Sequence, residues 1–218
     1  MSGLHNTQQR TRIKFCGITR AEDARLAAAL GVDALGFVLV PQSPRAISAS
    51  IANSIRRTLP PFISAVALLR NASVEQVWAA IAELQPDLLQ FHGDEPEAFC
   101  AQFGFPYLKA VSMAAPQDLT AHARAYDSAT ALLLDSHGVD GMGGTGHVFD
   151  WNHVQPVNKP LILAGGLKPE NVAQGIARVR PYAVDVSSGI ESTPGIKNFE
   201  KMRDFVRAVR LADAQGHS

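Results

Sequence analysis

Four side chains and two backbone turns in this sequence have types and spacings suited to chemistry. Cys16 follows Lys14 by two residues in Arg12-Ile-Lys-Phe-Cys16, so in an extended segment both side chains leave on one face. A neighbouring ammonium lowers a thiol pKa from about 8.5 and increases the thiolate fraction. A thiolate works as a general base or as a nucleophile. Asp135 ends the apolar run Leu132-Leu-Leu, where partial desolvation raises a carboxyl pKa and suits it to donate a proton. The plainer alternative is an Asp that bonds its own turn. Arg45, after Ser43-Pro44, offers a planar fork to a carboxylate, unless it is an ordinary solvated arginine. His92 reads more simply as a hydrogen-bonded strand-end histidine than as a catalytic group. Cys100, inside Ala98-Phe-Cys-Ala-Gln-Phe, reads as a small buried hydrophobe.

The turns complete the set. Pro160-Leu-Ile-Leu-Ala-Gly-Gly-Leu-Lys-Pro-Glu-Asn171 reads as a short buried strand, turned by Gly165 and Gly166 into a helix. Glycine lets the backbone come close to a ligand and present its N–H groups to an anion. About twenty residues on, Ala183-Val-Asp-Val-Ser-Ser-Gly189 ends in the same manner, at Ser187, Ser188 and Gly189. Read singly, Gly165-Gly166 is only a tight turn; read together, the two turns make a clamp for one phosphate. A thiol, a carboxylate, a guanidinium and a phosphate clamp imply proton transfer on a phosphorylated substrate that carries a second anion.

Phosphate is commonly bound by the loops after strands 7 and 8 of an eightfold β/α barrel, so six strands should precede these two. They are found at 12–16, 33–40, 62–69, 87–91, 107–111 and 130–135. Thr19 with Glu22 predicts a capping box at the first helix, with Leu26, Ala29 and Leu30 as its apolar stripe. Ser73 is expected to cap the third helix and Asp150 a short one, and an amphipathic helix over 198–211 closes the chain. Strict alternation of strand and helix predicts parallel, right-handed connections. The fold class expected is therefore α/β, a single (β/α)8 TIM barrel over residues 12–218, after a disordered leader at 1–11. A doubly wound sheet would alternate too, but no G-x-G-x-x-G follows the first strand. The Gly-rich loop from Ser136 to His147 includes Gly143-Gly-Thr-Gly146. It lacks the Lys-Ser/Thr of a P-loop and fits a mobile flap better.

Composition narrows the function classes. A chain of 218 residues supports one large core, and 46% apolar with 18% charged residues is ordinary for a globular α/β protein. Lys+Arg and Asp+Glu are both 20, so no global charge points to nucleic acid or an anionic membrane. The first eleven residues are polar, without a signal-peptide core, and no run approaches a membrane span. Two distant cysteines suit a reducing compartment, and a cytoplasmic location is expected. No His, Asp, Glu or Cys cluster has metal-ligand spacing.

The ordered motifs resemble one family. Lys14-Phe-Cys-Gly-Ile-Thr19, Gly36-Phe37 with Ser43-Pro-Arg45, Gln90-Phe-His-Gly93, and Leu133-Leu-Asp135 with Gly143-Gly-Thr-Gly146 and Phe149-Asp-Trp151 come first. Ala164-Gly-Gly-Leu-x-Pro-x-Asn-Val172 and Asp185-Val-Ser-Ser-Gly189 with Glu191 and Pro194-Gly195 follow. They are similar to phosphoribosylanthranilate isomerase over about residues 12–208; Phe15 and Phe91 stand where the family often has a smaller aliphatic residue. The resemblance implies a single (β/α)8 barrel that carries out an Amadori rearrangement in tryptophan biosynthesis without cofactor or metal. It implies Asp135 as the general acid at the ribose ring oxygen and Cys16 as the base at C2′. Arg45 would contact the anthranilate carboxylate, Gly165, Gly166, Ser187, Ser188 and Gly189 the phosphate, and Asp185 would line the pocket, with His92 beside the substrate.

Three other readings compete. A metal-dependent epimerase needs paired strand-end histidines, and only His92 is present. An indole-forming synthase needs a catalytic lysine, for which Lys14 and Lys109 are the candidates. A non-catalytic phosphometabolite sensor would need neither Cys16 nor Asp135. A monomer is expected, with a homodimer as the alternative.

Overall fold

The computed structural model describes residues 10–136 and 148–215. Apolar runs in this chain are short, and each becomes a strand whose alternate side chains serve two different layers. The strands are β1 (Arg12–Cys16), β2 (Ala34–Val38), β3 (Ser64–Leu69), β4 (Leu88–Phe91), β5 (Tyr107–Ser112), β6 (Ala131–Asp135), β7 (Leu161–Leu163) and β8 (Ala183–Val186). They form one closed parallel barrel in sequence order, with β1 hydrogen-bonded to both β2 and β8. Residues of one parity, including Phe15, Phe37, Leu89, Phe91 and Val184, pack outward beneath the helices. Residues of the other parity, among them Val66, Leu108, Leu133 and Ile162, form a separate cluster inside the barrel.

The covering helices are α1 (Ala21–Ala29), α2 (Ala49–Arg56), α3 (Val74–Leu84), α4 (Glu97–Ala101), α5 (Leu119–Ala125), α6 (Val172–Val179) and α7 (Phe199–Gln215). Between β6 and β7 the described residues hold one 3₁₀ turn, Trp151–His153, whose backbone is capped by Asp150. At α3 the expected Ser73 cap is present, as one half of a capping box: Ser73 Oγ accepts from Gln76 N, and Gln76 Oε1 accepts from Ser73 N. No described helix is long and apolar enough to cross a membrane.

Several local expectations are overturned, those at Thr19 and Thr11 by a tertiary partner. Thr19 does not cap α1; its hydroxyl donates to the Gly195 carbonyl, and Arg20 occupies the cap position without a side-chain capping bond, its guanidinium donating to Asp23 instead. The buried face of α1 is Asp23, Ala24 and Ala27, small side chains that bring the helix close. Phe62 is not in β3 but fully exposed before it, with φ of 72°. A two-stranded hairpin, β9 (Glu191–Thr193) and β10 (Ile196–Lys197), intervenes between β8 and α7 and was not expected. Thr11, assigned to the leader, is buried: its N–H and hydroxyl both donate to Asp213 of α7. Residues 1–9 of the leader and the Gly143–Gly146 flap lie outside the described residues.

Candidate active site

The C-terminal ends of the strands open into one cavity of about 800 Å³, and most of the residues singled out from the sequence reach it. Cys16 lies at the end of β1, 6% exposed. Lys14, one pleat below it, turns inward as the spacing requires. A Cβ added at Gly36 of β2 would stand 2.8 Å from the Cys16 Sγ and 3.1 Å from the Lys14 Nζ. The missing side chain thus makes room for both. However, the Lys14 ammonium is held 2.9 Å from Asp185 of β8 in a buried ion pair. Burial pushes the Cys16 thiol up, and Lys14, opposed by Asp185, does not reverse this; the net direction is above the ordinary thiol value. The expectation that Lys14 lowers the thiol is corrected here, because Asp185 sits on the same ammonium. For Lys14 itself burial lowers the pKa, but Asp185 and then Cys16 outweigh it, so the ammonium persists.

Asp135 ends β6, three strands from β1 around the closed barrel, and therefore stands across the mouth from Cys16. His92 meets it, with Nε2 3.3 Å from the carboxylate. The Gln90 amide nitrogen lies 2.9 Å from His92 Nδ1. This contact orients the ring so that its Nε2 edge faces Asp135. His92, read from the sequence as a lesser candidate, is thereby placed on the expected acid. Nearby, Lys109 donates to Glu95 at 3.1 Å and to the Gly93 carbonyl, and Glu95 accepts the N–H groups of Asn71 and Gly93. This buried pair fixes the loop after β4 that carries His92. Both lysines of the synthase reading are thus in buried ion pairs. Cys100 is the buried residue of α4, its thiol pushed up to about 12 by burial, as suits a packing residue.

On the β7 and β8 side the cavity is backbone. Gly165 and Gly166 have φ of 75° and 65°, left-handed values that side chains resist. A Cβ at Gly165 would come within 2.3 Å of Ser136 N, so that turn is packed against the end of β6. Asn171 holds the turn by donating to the Gly166 carbonyl and accepting from Lys168 N. Among the described residues the N–H groups of Gly165, Gly166, Ser187 and Ser188 have no backbone acceptor. Gly189, expected to bind phosphate, does not line the cavity. Its Cβ would overlap the Leu167 carbonyl at 2.0 Å, so its role is to let the two turns touch.

Arg45 also lines the cavity, but the fork expected to be free is partly engaged. Its Nε and Nη2 donate to Glu191 at 2.9 and 2.7 Å, a buried bidentate pair. Gly17 admits the arginine stem: a Cβ there would lie 2.6 Å from Arg45 Cδ. The sequence marked Glu191 only as part of a motif and did not mark Lys197, which donates to Glu191 at 2.8 Å. The one signal for either was that a run of polar residues follows a strand end. Among the described residues, no group of three His, Cys, Asp or Glu side chains is disposed to hold a metal ion.

A closed barrel with polar, titratable strand ends over an apolar interior defines a TIM-barrel enzyme. Comparison with known proteins narrows the class. The model of the N-(5'-phosphoribosyl)anthranilate (PRA) isomerase family matches residues 13–208. The N-(5'-phosphoribosyl)anthranilate isomerase of Leptothrix cholodnii is 52% identical over 207 residues, 94% of each chain. The crystal structure of phosphoribosyl anthranilate isomerase from Thermus thermophilus superposes with a TM-score of 0.84 at 38% identity, covering 92% of this chain and 99% of that one. A further phosphoribosyl anthranilate isomerase, solved with reduced 1-(o-carboxyphenylamino)-1-deoxyribulose 5-phosphate, gives a TM-score of 0.79 at 34% identity, covering 92% and 99%. The chain belongs to the N-(5'-phosphoribosyl)anthranilate isomerase family.

Proposed function

We propose that this protein converts N-(5-phosphoribosyl)anthranilate into 1-(2-carboxyphenylamino)-1-deoxyribulose 5-phosphate, an Amadori rearrangement of tryptophan biosynthesis, by general acid–base catalysis. The observation that carries it is the placement of Cys16 and Asp135 on opposite sides of one cavity, between a backbone-lined turn pair and Arg45. Asp135 gives its proton to the ribose ring oxygen; the C1′–O bond breaks as the anthranilate nitrogen lone pair forms the C=N bond of a Schiff base. Cys16, as thiolate, takes the C2′ proton, and those electrons flow through C1′ to nitrogen, leaving an enolamine. Tautomerisation to the ketone oxidises C2′ and reduces C1′ within one molecule, so no external electron carrier enters.

The binding roles follow the same logic. Gly165, Gly166, Ser187 and Ser188 hold the phosphate through N–H groups. Arg45, gripped by Glu191 on its Nε/Nη2 edge, meets the aryl carboxylate with the remaining Nη1/Nη2 edge. His92 and Asp185 border the ribose. The reading takes residues 12–218 as one catalytic domain, acting in the cytoplasm as a monomer without cofactor or metal. The direct test is incubation with freshly made phosphoribosylanthranilate, following the anthranilate-type fluorescence. Its loss at an enzyme-dependent rate, unchanged after EDTA dialysis, is expected. Persistent fluorescence would sink the assignment, and metal-restored activity would favour an epimerase-like chemistry instead.

A further inference from the structure

The hairpin β9–β10 has no part in closing the barrel, yet its side chains bind residues that line the mouth. Glu191 is buried, with its side chain 5% exposed, and it accepts from three neighbouring residues. Oε1 accepts from Arg45 Nε at 2.9 Å, Lys197 Nζ at 2.8 Å and Gly195 N at 3.2 Å; Oε2 accepts from Arg45 Nη2 at 2.7 Å. The Lys197 side chain is 0% exposed and donates in addition to the carbonyl of Cys16 at 2.6 Å and of Ser187 at 3.3 Å. With Ser187 Oγ at 3.5 Å and Glu191 Oε1, four oxygens surround the three hydrogens of this ammonium.

We propose that Glu191 is a positioning residue that makes the pocket selective for a carboxylated aryl substrate, by holding Arg45 with one edge of its guanidinium bound and the other presented to the cavity. This rests on the reading of Arg45 given above. A guanidinium has two edges able to take a carboxylate bidentately, Nε with Nη2 and Nη1 with Nη2. Glu191 occupies the first; among the described residues the Nη1 group has no acceptor. An arginine stem left loose would have to be ordered at each binding event, which weakens binding without altering the chemistry. Charge is kept as well. Arg45 with Glu191 alone would be a neutral pair; Lys197, though burial lowers its pKa, adds a second cation behind it. Lys197 also ties the same hairpin to the backbone of Cys16 and Ser187, so the base and the phosphate turn share the brace.

The experiment compares kcat/KM for phosphoribosylanthranilate and for its aniline analogue, which lacks the carboxylate, in wild type, Glu191→Gln, Glu191→Asp, Arg45→Ala and the Arg45→Ala/Glu191→Gln double variant. Glu191→Gln should lower kcat/KM for the carboxylated substrate about 10- to 30-fold, chiefly through KM, and for the aniline analogue by no more than about threefold. Arg45→Ala should show the larger selective loss, about 30- to 150-fold, and the double variant should lose no more than Arg45→Ala alone. Glu191→Asp, which keeps the charge with a shorter reach, should fall between wild type and Glu191→Gln and carries the test if the glutamine variant does not fold. Equal losses on both substrates for the Glu191 variants, or losses that multiply in the double variant, would overturn the positioning role while leaving Arg45 in place. An Arg45→Ala variant that fails to discriminate would instead remove Arg45 as the carboxylate reader, and Glu191's role with it.

Discussion

The lower interior of the barrel and its mouth are built from the same eight strands but obey opposite rules. Toward the strand starts, the inward positions hold Val66, Leu108, Ala131, Ile162 and Ala183. One or two pleats further on, the same strands present Lys14, Cys16, Gln90, Asp135 and Asp185. In the first region burial itself stabilises, by about 1.5–3 kcal/mol for a fully buried large aliphatic side chain. In the second each buried ion carries a desolvation penalty and persists because its partner is at bonding distance. Lys14 has Asp185, Lys109 has Glu95, and Arg45 and Lys197 share Glu191. Holding the barrel shut and doing chemistry are therefore separable along each strand.

The sharpest way to break this separation is at the mouth. Cys16→Ala and Asp135→Asn should each lower kcat by at least about 10²-fold, with thermal unfolding midpoints near wild type. Near-wild-type turnover in either variant removes that residue from the mechanism; Cys100→Ala, as control, should stay active. The converse variant is Leu108→Ala in the lower interior. It should reduce unfolding free energy by about 2–4 kcal/mol in a denaturant titration, with kcat/KM of the folded enzyme changed by no more than about threefold. A large kinetic defect at unchanged stability would erase the distinction between the two regions.

Two pH measurements sharpen the comparison further. The Cys16 thiol is raised by burial, so the reactive thiolate is scarce at neutral pH. On the acid side of that raised value the rate of Cys16 alkylation by iodoacetamide, in a Cys100→Ala background, should climb by about tenfold per pH unit, through the ordinary thiol region near 8.5. A plateau reached below neutrality would mean that Lys14 prevails over burial after all. The smallest effect belongs to Asp33, at the opposite end of the barrel, which accepts from Ile13 N and Arg10 at 2.9 Å. Burial raises its pKa, but Arg10 and the Ile13 N–H prevail and hold it below the ordinary carboxylate value. Its contribution is thus complete above about pH 4 and lost as the pH falls through the folded-state value. Asp33→Asn should cost about 1 kcal/mol at neutral pH and flatten the acid limb of the stability curve. Identical acid sensitivity in wild type and variant would show that Asp33 is not a source of that limb.

What was legible in the sequence depended on distance along the chain. Short apolar runs bounded by glycine and proline marked all eight strands, because a barrel strand covered on both faces is apolar throughout. The Ser73 cap was legible because its partner, the Gln76 N–H, lies within one turn. Thr19 carried the same signal and misled, since its partner, the Gly195 carbonyl, lies 176 residues away. The site divides likewise. The Lys14–Cys16 pairing followed from period two, but its sign did not, because Asp185 is 171 residues from Lys14. Arg45 was identified as a fork while Glu191, 146 residues on, was assigned no role. The hairpin escaped notice because strands of three and two residues carry no periodicity.

The seam between β1 and β8 bears on how the chain is made. Of the eight barrel strands, β1 is made first and is the last to receive its second neighbour, because Arg12–Phe15 must wait for Ala183–Val186. Thr11 waits longer still, for an aspartate 202 residues downstream. Until then a growing seven-stranded sheet has two unpaired edges, the exposed backbone that invites association between nascent chains. The same contact places the first described strand beside the last helix, so the ends of the barrel chain meet at its surface. Joining them by a short linker and opening a loop elsewhere should therefore give a permuted chain with the same seam, now formed early in synthesis.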